Sequence, residues 1–314
     1  MAANGVTTLN LGRPVKGTIG YANSDDPLSS GGSGLEQGGH SMPGTPKMKK
    51  ENVSIMETIN KKTMDIYDIR PAMNQISLDK NGFCVGHLQT NLEETLDILF
   101  EDGDKQIRKI YWPEVEELVR NTVTMDGRKP KYVFSIGTQK FCEDKTRGPF
   151  TTYSRTAHTD FAEVVFDKAW KMLTKRGVPE EEAKKMDLMF VNTWKPFGRP
   201  CVDNPLTILD WETVDPSRDV HGLKRGSPTK YMSIYNTTVT YNPQHKWVYI
   251  PEMQSDEVWV FKQVDSRPNK LGLAKHAFHT SFRMPDHQSD VNRTRRSIAV
   301  RLICAFEPVP KASL

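Results

Sequence analysis

No stretch of this 314-residue chain stays apolar long enough to cross a bilayer. The longest runs are pieces such as Ile298-Ala299-Val300 and Leu302-Ile303-Cys304-Ala305-Phe306, against the ~20 residues a spanning helix needs. The amino terminus shows neither the basic start nor the apolar stretch of a secretory signal. Cysteine is scarce, and Cys84, Cys142, Cys201 and Cys304 form no Cys-x-x-Cys pair. That spacing argues against a zinc knuckle or a disulfide framework and suits a reducing compartment. Charge of one sign is not in excess either. The 43 Lys and Arg are interspersed with 39 Asp and Glu, for a net +4, which excludes a dedicated nucleic-acid binder. The small basic cluster Lys47, Lys49 and Lys50 reads as a solvated linker. There is no internal repeat. The expectation from these absences is a cytoplasmic protein with neither nucleic acid nor membrane as a partner, and the mild positivity is compatible with a small anionic substrate without predicting one. With 37% hydrophobic residues, a chain of this length can bury a substantial core.

Residues 20–50 are rich in Gly, Ser, Pro and Asn, around Ser29-Ser30-Gly31-Gly32-Ser33-Gly34. Such a stretch cannot bury enough apolar surface to offset its ordering entropy. The expected organisation is therefore a flexible arm or lid over 1–50 and a single folded domain over 51–314. Asn81-Gly82 signals a turn into a short strand at Phe83. Trp112-Pro113-Glu114 opens a helix, with Val115, Leu118, Val119 and Val123 as its apolar stripe. A second helix is expected from Phe161 through Met172, stopped at Gly177. Beyond residue 186 short β-rich pieces alternate with Pro, Asn, Asp and Gly: 188–194, 206–209, 231–241, 247–250, 257–264, 277–282 and 297–306. The pattern predicts a mainly β, α+β fold, a jelly-roll barrel with helices buttressing one side.

The residues with most chemistry in them are Thr156-Ala157-His158-Thr159-Asp160-Phe161. In extended chain, residues two apart share a face, so His158 and Asp160 can offer an imidazole nitrogen and a carboxylate oxygen to one metal. Two His and one carboxylate on one octahedral face are the ligand set of non-haem Fe(II) oxygenases. One such pair would arise by chance among 8 His and 39 acids, so a distant third ligand is needed. His279, in Phe278-His279-Thr280-Ser281-Phe282, is preferred over His276, which would face away from it in a strand. His87, His221, His245 and His287 read as surface or packed residues. Sixteen residues after His279, alternation places Arg295, Ser297, Ala299 and Arg301 on one face of a strand. Arg295 and Ser297 together can hold a carboxylate, with Arg301 as a second inward cation that could take that role instead. Trp194 and Phe197 are expected in the core or in a substrate-pocket wall. Lys195 and Arg199 read as exposed turn residues, or one of them as a contact for a substrate carboxylate.

Taken in order, these pieces resemble the hydroxylase/desaturase family of fungal secondary metabolism, the group of gibberellin desaturase-like proteins and cephem methoxylases. The resemblance runs from about residue 66 to 307. It includes Asp68-Ile69-Arg70, Tyr111-Trp112-Pro113-Glu114, Ala157-His158-Thr159-Asp160 and Asn192-Thr193-Trp194-Lys195-Pro196. It continues through Asn204-Pro205-Leu206, Trp247-Val248-Tyr249, Phe261-Lys262, His279-Thr280-Ser281-Phe282 and Arg296-Ser297-Ile298-Ala299-Val300-Arg301. It implies a double-stranded β-helix that holds Fe(II) and uses 2-oxoglutarate and O2. The implied reaction is C–H abstraction on a secondary-metabolite intermediate, leading to hydroxylation, desaturation or ring closure. The chain departs from the family pattern at Lys195, in place of Arg, and at Ala299, in place of Glu. Homodimers are common among such folds. Two other readings stand beside this one: an iron oxidase independent of 2-oxoglutarate, and a non-catalytic β-barrel binding protein.

Overall fold

The computed structural model describes residues 9–22, 59–100, 103–142, 153–224, 235–285 and 294–309. Among them the chain forms β1 (Pro14–Tyr21), β2 (Asn60–Asp68), β3 (Phe83–His87), β4 (Tyr132–Cys142), β5 (His158–Thr159) and β6 (Asp187–Pro196). It continues with β7 (Leu206–Leu209), β8 (Val220–Lys224), β9 (Tyr235–Val239), β10 (Trp247–Tyr249), β11 (Glu257–Asp265), β12 (His279–Ser281) and β13 (Arg296–Phe306). One sheet runs β1-β2-β10-β7-β12-β5-β9-β8 and the other β3-β11-β6-β13-β4. Neighbouring strands are antiparallel, save β2 with β10. Two packed, mainly antiparallel sheets with helices on one of them make the jelly-roll architecture that the strand pattern predicts.

The central strands of the smaller sheet are buried on both faces, which is why they read as unbroken apolar runs. Met189 and Val191 of β6, Val258 and Val260 of β11, and Val300 and Leu302 of β13 face outward and meet Val115 and Val119 of the helix Trp112–Thr122. That helix does not open at Pro113 as the sequence suggests: Asp104–Gln106 and a π-helical turn over Ile107–Tyr111 run into it without a break, so Pro113 falls just after the π-to-α junction, where the widened turn accommodates a residue without an N–H. A second helix, Phe166–Thr174, covers Phe190 and Ile303 with Ala169 and Leu173. It starts later than its apolar spacing predicts, because Asp160 and Phe161 belong to the segment leaving β5. Gly177, at φ +90°, ends the turn that follows it. The other face of the small sheet carries Trp194, Trp259, Phe261 and Ala299 against Leu206, Ile208 and Val248 of the large sheet. Each large apolar side chain so buried contributes roughly 1.5–3 kcal/mol.

The domain boundary expected at residue 50 needs correction. Residues 14–21 form β1, paired along its whole length with β2, so this segment is part of the large sheet rather than an arm. The Gly/Ser-rich core of the expected arm and the Lys47–Lys50 cluster lie outside the described residues. Gly20 shows why β1 matters. Its N–H donates to Arg155 O at 3.0 Å, and its carbonyl accepts from Ala157 N at 2.8 Å. A Cβ at Gly20 would stand 2.6 Å from Arg155 O, so this close approach requires glycine. The first strand thus fixes the backbone immediately ahead of His158.

Candidate metal centre and pocket

His158 opens β5 and His279 opens β12, and the two residues are direct partners in the antiparallel register. Such partners project to the same face, and here the ring centroids lie 4.6 Å apart. Asp160, two residues beyond His158, turns the same way. One ligating atom from each of His158, Asp160 and His279 lies within 4.8 Å of the others. Both imidazoles are oriented by the main chain: His158 Nδ1 is 2.7 Å from Thr156 O, and His279 Nδ1 is 3.2 Å from Ala277 O. A carbonyl can only accept, so Nδ1 carries the proton and the lone pair sits on Nε2. Burial holds the His279 pKa below the ordinary value, with Asp160 pulling partly the other way. The ring is therefore neutral near pH 7, as a ligand must be.

Asp160 is fixed at three points. Its Oδ2 accepts from Asn192 Nδ2 at 2.8 Å and from Arg301 Nε at 2.9 Å, and its N–H donates to Gln263 Oε1 at 2.7 Å. Burial alone would raise the carboxyl pKa, but the Arg301 guanidinium, joined by the two imidazoles once they protonate at low pH, outweighs it and holds Asp160 well below the usual carboxylate range. Oδ1 lies 3.7 Å from His158 Nε2. Two imidazole nitrogens and one carboxylate oxygen, nearly buried and converging on one point, fit the donor set of a non-haem Fe(II) site.

A pocket between the sheets opens beside these three residues, walled by Phe141, Tyr153, Trp194, Leu206, Phe261 and Ala299. Arg295 lies in it, 3% exposed. Its guanidinium carbon sits 3.8 Å from the Tyr153 ring centre and 5.4 Å from that of Trp194, and Nη1 donates to Ser281 Oγ at 2.7 Å and to Asn204 O. Ser297 pairs with Phe141 and Pro196, Ala299 with Gln139 and Trp194, and Arg301 with Gly137 and Asn192. Cross-strand partners share a face, so the alternate residues of β13 point inward together. Ser297 Oγ is buried with no hydrogen-bond partner among the described residues. A buried guanidinium and an unmet hydroxyl two residues apart fit the distal carboxylate of a dicarboxylic acid such as 2-oxoglutarate. Arg301 is placed differently from that expectation: it turns to Asp160 rather than to the Arg295 end.

Of the other pocket candidates, Lys195 is neither an exposed turn residue nor in the pocket, and Phe197 takes the core position, one of its two expected places. On β6, Asn192 and Trp194 point inward, so Lys195 points to the opposite face. There it is fully buried, ion-paired with Glu94 and 5.8 Å from the Tyr111 ring centre. Phe197 packs into the cluster around the helix Trp112–Thr122. His276 turns away from His279, bonds Gln263 O through Nδ1 at 2.6 Å and stands beside Trp211. His245 is buried against Asp219, His87 is exposed, and His287 lies outside the described residues. Sequence reasoning missed Asn192, Gln263, Gln139 and Phe141. Asn192 stood inside a recognised motif without a role. Gln139 and Phe141 sit on β4, an edge strand whose partly exposed residues give no clean alternation. Nothing local marks Gln263.

Residues 36–305 match the protein family described as oxidoreductase/YMDC permease-like domain. Among curated proteins, the alpha-ketoglutarate-dependent dioxygenase phiK of a fungal species is 26% identical over 261 residues, covering 80% of this chain and 86% of its own. The alpha-ketoglutarate-dependent dioxygenase tstK of Talaromyces stipitatus is 28% identical over 245 residues, covering 76% and 83%. A solved structure of the iron and alpha-ketoglutarate-dependent endoperoxidase NvfI superposes with a TM-score of 0.66 at 19% identity, over 95% of this chain and 98% of that one. The chain belongs to this oxidoreductase family. Among its relatives are fungal Fe(II)/2-oxoglutarate- or alpha-ketoglutarate-dependent dioxygenases and two proteins named hydroxylase/desaturase, CTB9 of Cercospora beticola and efuI of Hormonema carpetanum.

Proposed function

We propose that the chain is an Fe(II)- and 2-oxoglutarate-dependent oxygenase that attacks an unactivated C–H bond of a small secondary-metabolite intermediate in the cytoplasm. The observation that carries this reading is the convergence of His158, Asp160 and His279 within 4.8 Å, with both Nδ1 atoms tied to backbone carbonyls. His158 Nε2, His279 Nε2 and Asp160 Oδ1 would hold the iron. Arg295 and Ser297 would hold the far carboxylate of 2-oxoglutarate. When bound, the iron with 2-oxoglutarate and O2 supplies the oxidant, releasing succinate and CO2. The chain's own work is placement and exclusion. Arg301 keeps Asp160 ionised in a site that water barely reaches. Tyr153, Trp194 and Phe141 surround the Arg295 guanidinium with aromatic rings at cation–π distance. Phe261, Leu206 and Ala299 give an apolar wall against which a substrate carbon can rest. Ala299 leaves space beside Trp194 that a longer side chain would fill. No helix among the described residues is long and apolar enough to cross a membrane.

The test is anaerobic purification with Fe(II), followed by succinate release from 2-oxoglutarate across a panel of small acidic and neutral candidate substrates. Turnover should vanish in His158→Ala, Asp160→Ala and His279→Ala. Turnover surviving in His279→Ala would move the third ligand elsewhere. Oxygen uptake without 2-oxoglutarate would replace this reading by that of a simple iron oxidase.

A further inference from the structure

Two buried amides flank Asp160, and each has half of its hydrogen-bonding capacity unmet. Asn192 is 2% exposed. The Asp160 carboxylate can only accept, so Nδ2 must face it. That leaves Asn192 Oδ1 at the pocket with no partner among the described residues. Gln263 is fully buried. Its Oε1 must face the Asp160 N–H, which strands Nε2 without a partner. Gln263 is also the extra residue of a β-bulge: Lys262 pairs with Val191 and Val264 with Phe190 on β6, and Gln263 pairs with neither. Bulges re-aim a side chain, and this one turns Gln263 into the barrel.

As space filler, an amide with an orphaned atom is a poor choice, since burying an unmet polar group is unfavourable. An apolar residue of similar size would pack there at less cost. What both amides gain is a hold on one residue. We infer that Asn192 and Gln263 are positioning residues that fix Asp160 so that Oδ1 alone reaches the metal. Asn192 and Arg301 occupy Oδ2 between them, while Gln263 pins the backbone nitrogen and thereby the direction of the side chain. A carboxylate held this way takes one coordination position rather than two. Three positions then stay open, which is what a two-point keto acid and O2 together require. This inference rests on the metal reading above.

The test is metal binding rather than turnover. Chelator-stripped wild type, Asn192→Leu, Asn192→Ser and Gln263→Met would be titrated with Mn(II), following free Mn(II) by electron paramagnetic resonance. Circular dichroism of the stripped proteins would serve as the fold control. Asn192→Leu and Gln263→Met should each weaken binding about 10–100-fold, and Asn192→Ser, which keeps a donor, by roughly threefold or less. If Asn192→Leu and Gln263→Met bind Mn(II) as tightly as wild type, the positioning role is wrong. If wild type itself takes up no Mn(II), the metal reading falls with it. Should Asn192→Leu fail to fold, Gln263→Met decides the matter on the same terms.

Discussion

Replacing Arg301 by Met asks how the buried carboxylate of Asp160 is tolerated before any ion arrives. The guanidinium lies 2.9 Å from Oδ2, with side chains 22% and 7% exposed for Arg301 and Asp160. Removing one partner of a buried pair costs about 3–5 kcal/mol. Here the bonds from Asn192 and to Gln263 remain, and Arg301 is partly hydrated, so the expected loss is nearer 2–3 kcal/mol. For a chain of this size that corresponds to a fall of about 4–6 °C in the melting temperature of metal-free protein. The pH dependence has a definite sign. Asp160 is held below its unfolded value, so its contribution is fully present above the unfolded carboxylate pKa of about 3.9 and is lost as pH falls through the folded value. The gap between wild type and Arg301→Met should therefore be widest near pH 7 and begin to narrow only below about pH 4. Thermal or urea unfolding with chelator present measures it directly. An Asp160→Asn background supplies the control, since without the charge Arg301→Met should cost less than about 1 kcal/mol. Equal losses in both backgrounds, or a gap that does not change from pH 7 to pH 3, would refute the assignment of Arg301 as the counter-charge of Asp160.

The other expectations separate the pocket from its surroundings. Arg295→Ala should raise the apparent KM for 2-oxoglutarate at least about tenfold, the scale of one lost charged hydrogen bond, as read from steady-state succinate release. Ser297→Ala should leave the melting temperature nearly unchanged, because its Oγ bonds nothing among the described residues, yet it should raise the same KM several-fold. Lys195→Met should do the reverse. It leaves the partly buried Glu94 without its ion-pair partner and lowers stability by about 2 kcal/mol, with KM for 2-oxoglutarate unaltered. Gly20→Val puts a Cβ 2.6 Å from Arg155 O and should cost about 1–3 kcal/mol. It should also weaken Mn(II) binding, since the displaced backbone leads into His158.

How far such a site is legible depends on whether each residue's role is set by short-range geometry. His158 and Asp160 could be read because extended chain has a period of two, and the inward set Arg295, Ser297, Ala299 and Arg301 follows from the same rule. The strands of the second half were legible because burial on both faces demands continuous apolar runs. Lys195 shows where that rule needs an origin. It sits one residue from Trp194 and so must face the other way, yet sequence cannot say which of the two points inward until β6 is placed between β11 and β13. β1 escaped notice because its two glycines and alternating polar residues look like loop. Its strand character comes from β2, about forty residues later, and from the close approach to Arg155. Gln263 is the extreme case. Its position depends on a single extra residue in the β11–β6 pairing, a property of two strands seventy residues apart that leaves no trace in either alone. The three candidate ligands are thus local features brought together by the register of β5 with β12. The groups that would make them selective for one ion geometry arise only from tertiary pairing, so substitutions at Asn192 and Gln263 test the fold's contribution to the chemistry more directly than substitutions of the ligands themselves.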